Sequence, residues 1–165
     1  MTRWYPLEPA DADFLQSAPH IIRIEKHFAA PPQLVWESLA SDDSIKAWGS
    51  SVTHLTWHCA RPFGVGTTRE VALAPGLVRV RERFFRWEEG QRYSFSVYEA
   101  NLPILRRFAE DYALDADGDG TRFTWTIAIE PKGPLTLPFR GMAPVLKAVF
   151  GRTAADGQRY FSRQA

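Results

Sequence analysis

Arg69, Glu82 and Glu110 stand where a strand pattern calls for apolar residues. They interrupt the alternation that runs through Thr67–Ile129. A charge turned toward a core is costly unless it is paired or used. Paired, Arg69 and Glu82 form a buried ion bridge that fixes strand register. Used, they anchor the polar head of a ligand in an otherwise apolar pocket. A further use is acid–base chemistry by a carboxyl whose pKa burial has raised. Arg69 opposes that shift for Glu82. Glu110 has no partner evident in the sequence and is the better candidate acid, with Tyr112 beside it on the same face.

Other reactive residues carry less. His54 and His58 share one side of a strand, but neither Cys59, of opposite parity, nor a nearby carboxylate completes a metal site. They read as solvated edge histidines, and no metal and no cofactor are expected. Cys59 reads as a small buried hydrophobe. No Ser-His-Asp or Cys-His arrangement presents itself. Gly64-x-Gly66 precedes a strand, not a helix, so it is no dinucleotide fingerprint. Arg79, Arg81 and Arg83 form a row on the opposite face. That row is either a solvated surface with Glu70 across from Arg81, or a docking site for an anionic partner.

These groups are positioned by a chain that reads strand, two helices, six strands, one long helix. Ile21–Phe28 alternates as a half-buried strand. Pro31 and Pro32 suit a first helical turn, and Leu34, Val35, Ser38 and Leu39 give that helix a packing face. Ser41 to Asp43 caps a second short helix ending near Trp48–Gly49. Strands follow at Val52–Cys59, Thr67–Ala74, Leu77–Trp87, Arg92–Glu99, Arg106–Leu114 and Arg122–Glu130. In Pro138–Phe161, Met142, Val145, Leu146, Val149 and Thr153 recur at helical spacing. Gly151 and Gly157 each cost about 1 kcal/mol against alanine there, and mark a helix loosened, bent or closely approached. The fold class is α+β: a hairpin-linked antiparallel sheet covered by the terminal helix. Residues 1–19 read as an irregular arm pinned by Trp4, Tyr5, Phe14 and Leu15; residues 20–165 form one domain.

Even-length turns at Pro75-Gly76, Glu89-Gly90 and Gly118 set Arg69 against Glu82, Glu82 against Val97 and Phe84 against Phe95. They also set Glu110 against Ile127 and Tyr112 against Trp125. All three hairpins then agree on one inner face, which a single bulge would break. With the three charges, that face carries Val71, Leu73, Val78, Val80, Phe84, Tyr93, Phe95, Val97, Phe108, Tyr112, Leu114, Phe123, Trp125 and Ile127. Ser94, Ser96, Arg107, Asp111, Arg122, Thr124 and Thr126 join the arginine row and Glu70 outside, as expected of a sheet with one wet side.

A net charge of +1 argues against nucleic acid. Six Trp and eleven Phe suit a pocket lining as well as a core. The first nineteen residues hold Arg3, Glu8, Asp11, Asp13 and three prolines, so no secretory signal is read there. No apolar run approaches the ~18 residues of a membrane span. Cys59 is the only cysteine, so no internal disulfide can form. The expectation is a cytoplasmic protein with no integral membrane association and an unspecified oligomeric state.

Several short segments together carry a family resemblance. They are Ala29-Ala30-Pro31-Pro32-Gln33-Leu34-Val35-Trp36, Trp48, Gly64-Val65-Gly66-Thr67-Thr68-Arg69, Arg81-Glu82-Arg83 with Trp87, and Gly118-Asp119-Gly120-Thr121-Arg122-Phe123-Thr124-Trp125. Over about Ile21 to Phe161 the chain resembles the START-like, or SRPBCC, superfamily, and within it the polyketide cyclase/dehydrase and lipid-transport family. The resemblance implies a helix-grip fold: a seven-stranded antiparallel sheet wrapped around a long C-terminal helix and an internal cavity. It implies no shared catalytic motif. Arg69 and Glu82 match positions where relatives often show Arg and Glu.

The leading expectation is a non-enzymatic binder or carrier of a hydrophobic or amphipathic small molecule, lipid- or polyketide-like. The lining would be Arg69, Val71, Val80, Glu82, Phe84, Tyr93, Phe95, Val97, Phe108, Glu110, Tyr112, Trp125, Ile127, Met142, Leu146 and Val149. One alternative is a cyclase, aromatase or dehydratase using Glu110 or Tyr112. Another is an interaction module built on the arginine row.

Overall fold

The computed structural model describes residues 2–73 and 75–164; Ala74, expected to end a strand, lies outside them. Along the chain come β1 (Tyr5–Pro6), α1 (Phe14–Ser17), β2 (His20–Phe28) and α2 (Pro32–Leu39). A 3-10 turn at Ser44–Trp48 leads to β3 (Val52–Trp57), β4 (Thr68–Leu73), β5 (Val78–Glu88), β6 (Arg92–Ala100), β7 (Leu105–Asp117) and β8 (Gly120–Pro131). The chain ends in α3 (Thr136–Ser162). Seven strands pair antiparallel in the order β2-β8-β7-β6-β5-β4-β3.

The five cross-strand pairs expected from the turns are all present. Two of them, Phe84 with Phe95 and Glu82 with Val97, are reached by another route. The β5–β6 turn is odd, with Glu88 opposite Arg92, and a bulge at Phe85 restores Phe84 opposite Phe95. A bulge puts two successive side chains on one side. Phe85 therefore packs outward beside Phe14 and Leu15, and Arg86 reaches outward to Ser94 and Asp111. Trp87 returns to the inner face, stacked on Tyr93 with centroids 5.6 Å apart.

The arm is ordered, not irregular. Pairing of β6 with β7 stops at Ser96 opposite Ala109, and β1 takes up the freed end of β6 through Ala100 and Glu99. The Leu7 N–H donates to the Tyr98 carbonyl and the Glu8 N–H to the Arg106 carbonyl, so the arm bridges the two diverging strands. Trp4 lies 4.0 Å from the Arg81 guanidinium. Phe14 and Leu15 bury against Ala109 and Ala128, which makes a second small core on the convex side. That face is thus only partly wet. Small outward alanines carry too little pattern to announce a covering element.

Helix α3 divides into two halves. In the second, Phe161 stacks on Phe28 and meets Trp48 edge-on. A Cβ at Gly157 would sit 2.6 Å from the Trp48 ring, whereas Gly151 faces open space. The first half, which runs through Pro144, holds the sheet along β2 and β8 by Phe139 on His20 and Phe150 on Trp125. Among the described residues no helix is long and apolar enough to cross a membrane.

Candidate functional site

Strands β4 and β5 bring Arg69 and Glu82 together inside the sheet. Arg69 is 0% exposed; its Nε–H donates to Glu82 Oε2 at 2.5 Å and its Nη1 to the Ser44 hydroxyl at 3.1 Å. Ser44 adopts a left-handed backbone, φ 45°, which is uncommon outside glycine, and its hydroxyl donates to the Leu39 carbonyl at 2.7 Å. The Arg69 guanidinium carbon lies 4.9 Å from the Phe95 ring centre, 5.0 Å from Phe84, 5.1 Å from Trp57 and 5.8 Å from Tyr93. Such faces stabilise a desolvated cation. Desolvation works against the Arg69 charge, and the adjoining Glu82 carboxylate more than offsets it, so the guanidinium stays protonated. Burial raises the Glu82 carboxyl while Arg69 pulls it down. Arg69 Nη2 and the Tyr93 hydroxyl are buried without a hydrogen-bond partner among the described residues. Burial pushes the Tyr93 phenol up against the pull of Arg69, so it holds its proton at neutral pH.

Glu110, expected to lack a partner, has two. The Tyr112 hydroxyl and the Trp125 indole N–H both donate to its Oε2, each at 2.9 Å. The pattern hid this because the partners sit two residues along β7 and diagonally across on β8. Glu110 is 6% exposed; burial first, then the nearby Glu82 charge, pushes its carboxyl up to about 8, while the two hydrogen bonds pull it down. It is therefore protonated at neutral pH. With Oε2 accepting twice, the proton belongs on Oε1, where it forms a neutral donor inside an apolar sheet.

The other expected lining residues divide. Val71, Phe84, Tyr93, Phe95, Val97, Tyr112, Trp125 and Ile127 are buried on the inner face, and Val80, Phe108 and Leu146 are half-buried. Met142 and Val149 are 49% and 55% exposed, not turned inward. They lie on one line of α3 with Asp156, successive members seven residues apart, nearly two helical turns. Asp156 packs against Gly49 of the turn after Trp48. The same flank is thus closed at one end of the helix and open at the other, with Val145 beside it also exposed.

Among the described residues, one concavity of about 410 Å³ lies on the convex side beside α1 and another of about 340 Å³ lies beside β3 at Leu55, Trp57, Cys59 and Phe63. Neither is the enclosed cavity expected beneath α3. Around Arg69 the inner face is occupied by the rings of Phe84, Trp87, Tyr93 and Phe95, packed edge-on or tilted except for Trp87 stacked on Tyr93, because large aromatics on adjacent strands fill a curled sheet by themselves. Cys59 is exposed, not buried, because β3 ends at Trp57. Ser44, Trp57 and Trp87 belong to the site and were missed. Trp57 shares the parity of Leu55 on β3 and was legible as inner, whereas Trp87 is inner only because of the bulge at Phe85, and nothing local marks Ser44. The arginine row is largely spent within the chain: Arg79 and Arg81 pair with Glu70, and Arg81 also with Glu99.

A curled seven-stranded sheet closed at one end by a turn and gripped by a long C-terminal helix defines a START-like, helix-grip protein. The chain belongs to the polyketide cyclase/dehydrase and lipid transport family, whose sequence profile matches residues 19–160. An uncharacterised protein of Mycobacterium tuberculosis is 33% identical over 156 residues, covering 94% of this chain and 93% of its own. A Thermus thermophilus protein of solved structure superposes with a TM-score of 0.73 at 19% identity, over 88% of this chain and 99% of that one. A START superfamily protein from Mycobacterium smegmatis gives 0.68 at 10% identity, over 88% and 99%. Likeness at such identities establishes the fold.

Proposed function

We propose that the protein is a cytoplasmic binder or carrier of a hydrophobic or amphipathic small molecule. The ligand lies at the open end of the grip, along the α3 flank of Met142, Val145 and Val149. The observation that carries this reading is that flank, apolar and uncovered where its continuation at Asp156 is closed. Apolar area removed from water supplies about 25 cal/mol per Å² before ordering costs. Protonated Glu110, joined to α3 through Trp125 and Phe150, is the group available to a polar head. The experiment is mass spectrometry of small molecules released on denaturing the purified protein, with a thermal-shift screen of lipids, polyketides and aromatic acids. A released lipid or a stabilising compound is expected; silence in both rejects the reading.

The raised carboxyl of Glu110 favours one second reading, an acid-catalysed cyclisation or dehydration of a polyketide-like substrate. Turnover that survives Glu110→Gln on a substrate so identified rejects it.

A further inference from the structure

The concavity on the convex face is independent of the grip. It is lined by the α1 side of the arm through Leu15 and Gln16, by Ile21 and Arg23 of β2, and by Arg86, Arg92 and Asp111. Asp111 is only 4% exposed, and its Oδ1 accepts from the Ser94 hydroxyl at 2.6 Å, Arg92 Nε at 2.8 Å and Arg86 Nη1 at 3.4 Å. A buried carboxylate therefore holds two guanidiniums by one edge each. The bulge at Phe85 is what aims Arg86 there. Among the described residues, both terminal nitrogens of Arg92 and Nη2 of Arg86 make no hydrogen bond. Glu88 stands 3.7 Å from Arg86 Nε, and Glu25 takes Arg23 at the rim.

We propose that this concavity binds a small amphipathic anion, a carboxylate or phosphate monoester. Its head sits between Arg86 and Arg92 and its apolar body lies on Leu15 and Ile21. Three arginines face one aspartate in the lining, and planar guanidiniums fixed by a buried carboxylate suit bidentate anion recognition. A volume of about 410 Å³ is that of a small-molecule site. If the network served only to clamp β5, β6 and β7 together, neutral and charged probes would bind alike.

The test is a chemical-shift titration of the isotopically labelled full chain with benzoate, phenyl phosphate and the neutral isostere benzamide. Either anion should shift the backbone amides of Gln16, Arg92 and Asp111 saturably, with benzamide weaker by about tenfold, and the tighter anion identifies the head group. Arg92→Gln should abolish the shifts. Because that change also strips Asp111 of a donor, Arg23→Gln at the exposed rim serves as the second variant and should weaken binding about threefold while leaving the fold intact. Equal binding of benzamide, shifts centred on Trp125 and Phe150 instead, unchanged affinity in a folded Arg23→Gln, or no saturable shift with either anion overturns the proposal.

Discussion

Arg69 and Glu82 face each other across adjacent strands and join through a 2.5 Å charge-assisted hydrogen bond, with Arg69 sealed from water by aromatic rings. A buried pair of this kind specifies register more than it adds stability, and losing one partner strands the other. Glu82→Gln is expected to cost about 3–5 kcal/mol in urea unfolding. The double change Arg69→Met with Glu82→Leu should fall within about 2 kcal/mol of the parent. A Glu82→Gln protein as stable as the parent would mean the pair is not desolvated.

Glu110 makes stability depend on pH. Its carboxyl rises from an ordinary 4.5 to about 8 in the folded protein. Between those values the unfolded chain has lost the proton and the folded chain keeps it. The contribution is therefore complete below about 4.5 and drains away as pH climbs toward 8, at about 1.4 kcal/mol per pH unit. Glu110→Gln should flatten that slope. Unfolding free energies measured across this range for both proteins, subtracted from each other, give the comparison; parallel curves would contradict the assignment.

The two helix glycines should respond in opposite directions. Gly157→Ala drives a methyl into Trp48, 2.6 Å away, and is expected to destabilise by about 1–3 kcal/mol. Gly151→Ala meets open space in a helix interior and should stabilise by up to about 1 kcal/mol. Paired thermal melts decide it, and equal shifts would show that Trp48 does not fix this contact.

The open flank of α3 separates binding from folding. Met142→Gln with Val149→Thr changes two half-exposed residues, so each should move stability by less than about 0.5 kcal/mol. The same pair should weaken binding of any ligand recovered from the protein by about tenfold, since two apolar contacts are lost. Unchanged affinity would move the ligand away from this flank.

Most of the sheet was legible in the chain because side-chain alternation is a local property. Once the turns were placed, parity alone put Arg69 opposite Glu82 and Tyr112 opposite Trp125. It survived even a wrong turn length, since the bulge at Phe85 restored the frame. Burial of the three charges was implied by the same alternation. The partners of Glu110, the Ser44 hydroxyl against Arg69, and the arm bridging β6 and β7 were not, because each joins atoms whose separation depends on how the sheet curls. Nor does periodicity say how much space a curled sheet leaves inside. Here aromatic volume fills the region around Arg69, and the helix leaves its apolar flank open at one end. Which residues face inward follows from the two-residue repeat of a strand; whether they meet one another, a ligand or water is settled only by three-dimensional packing.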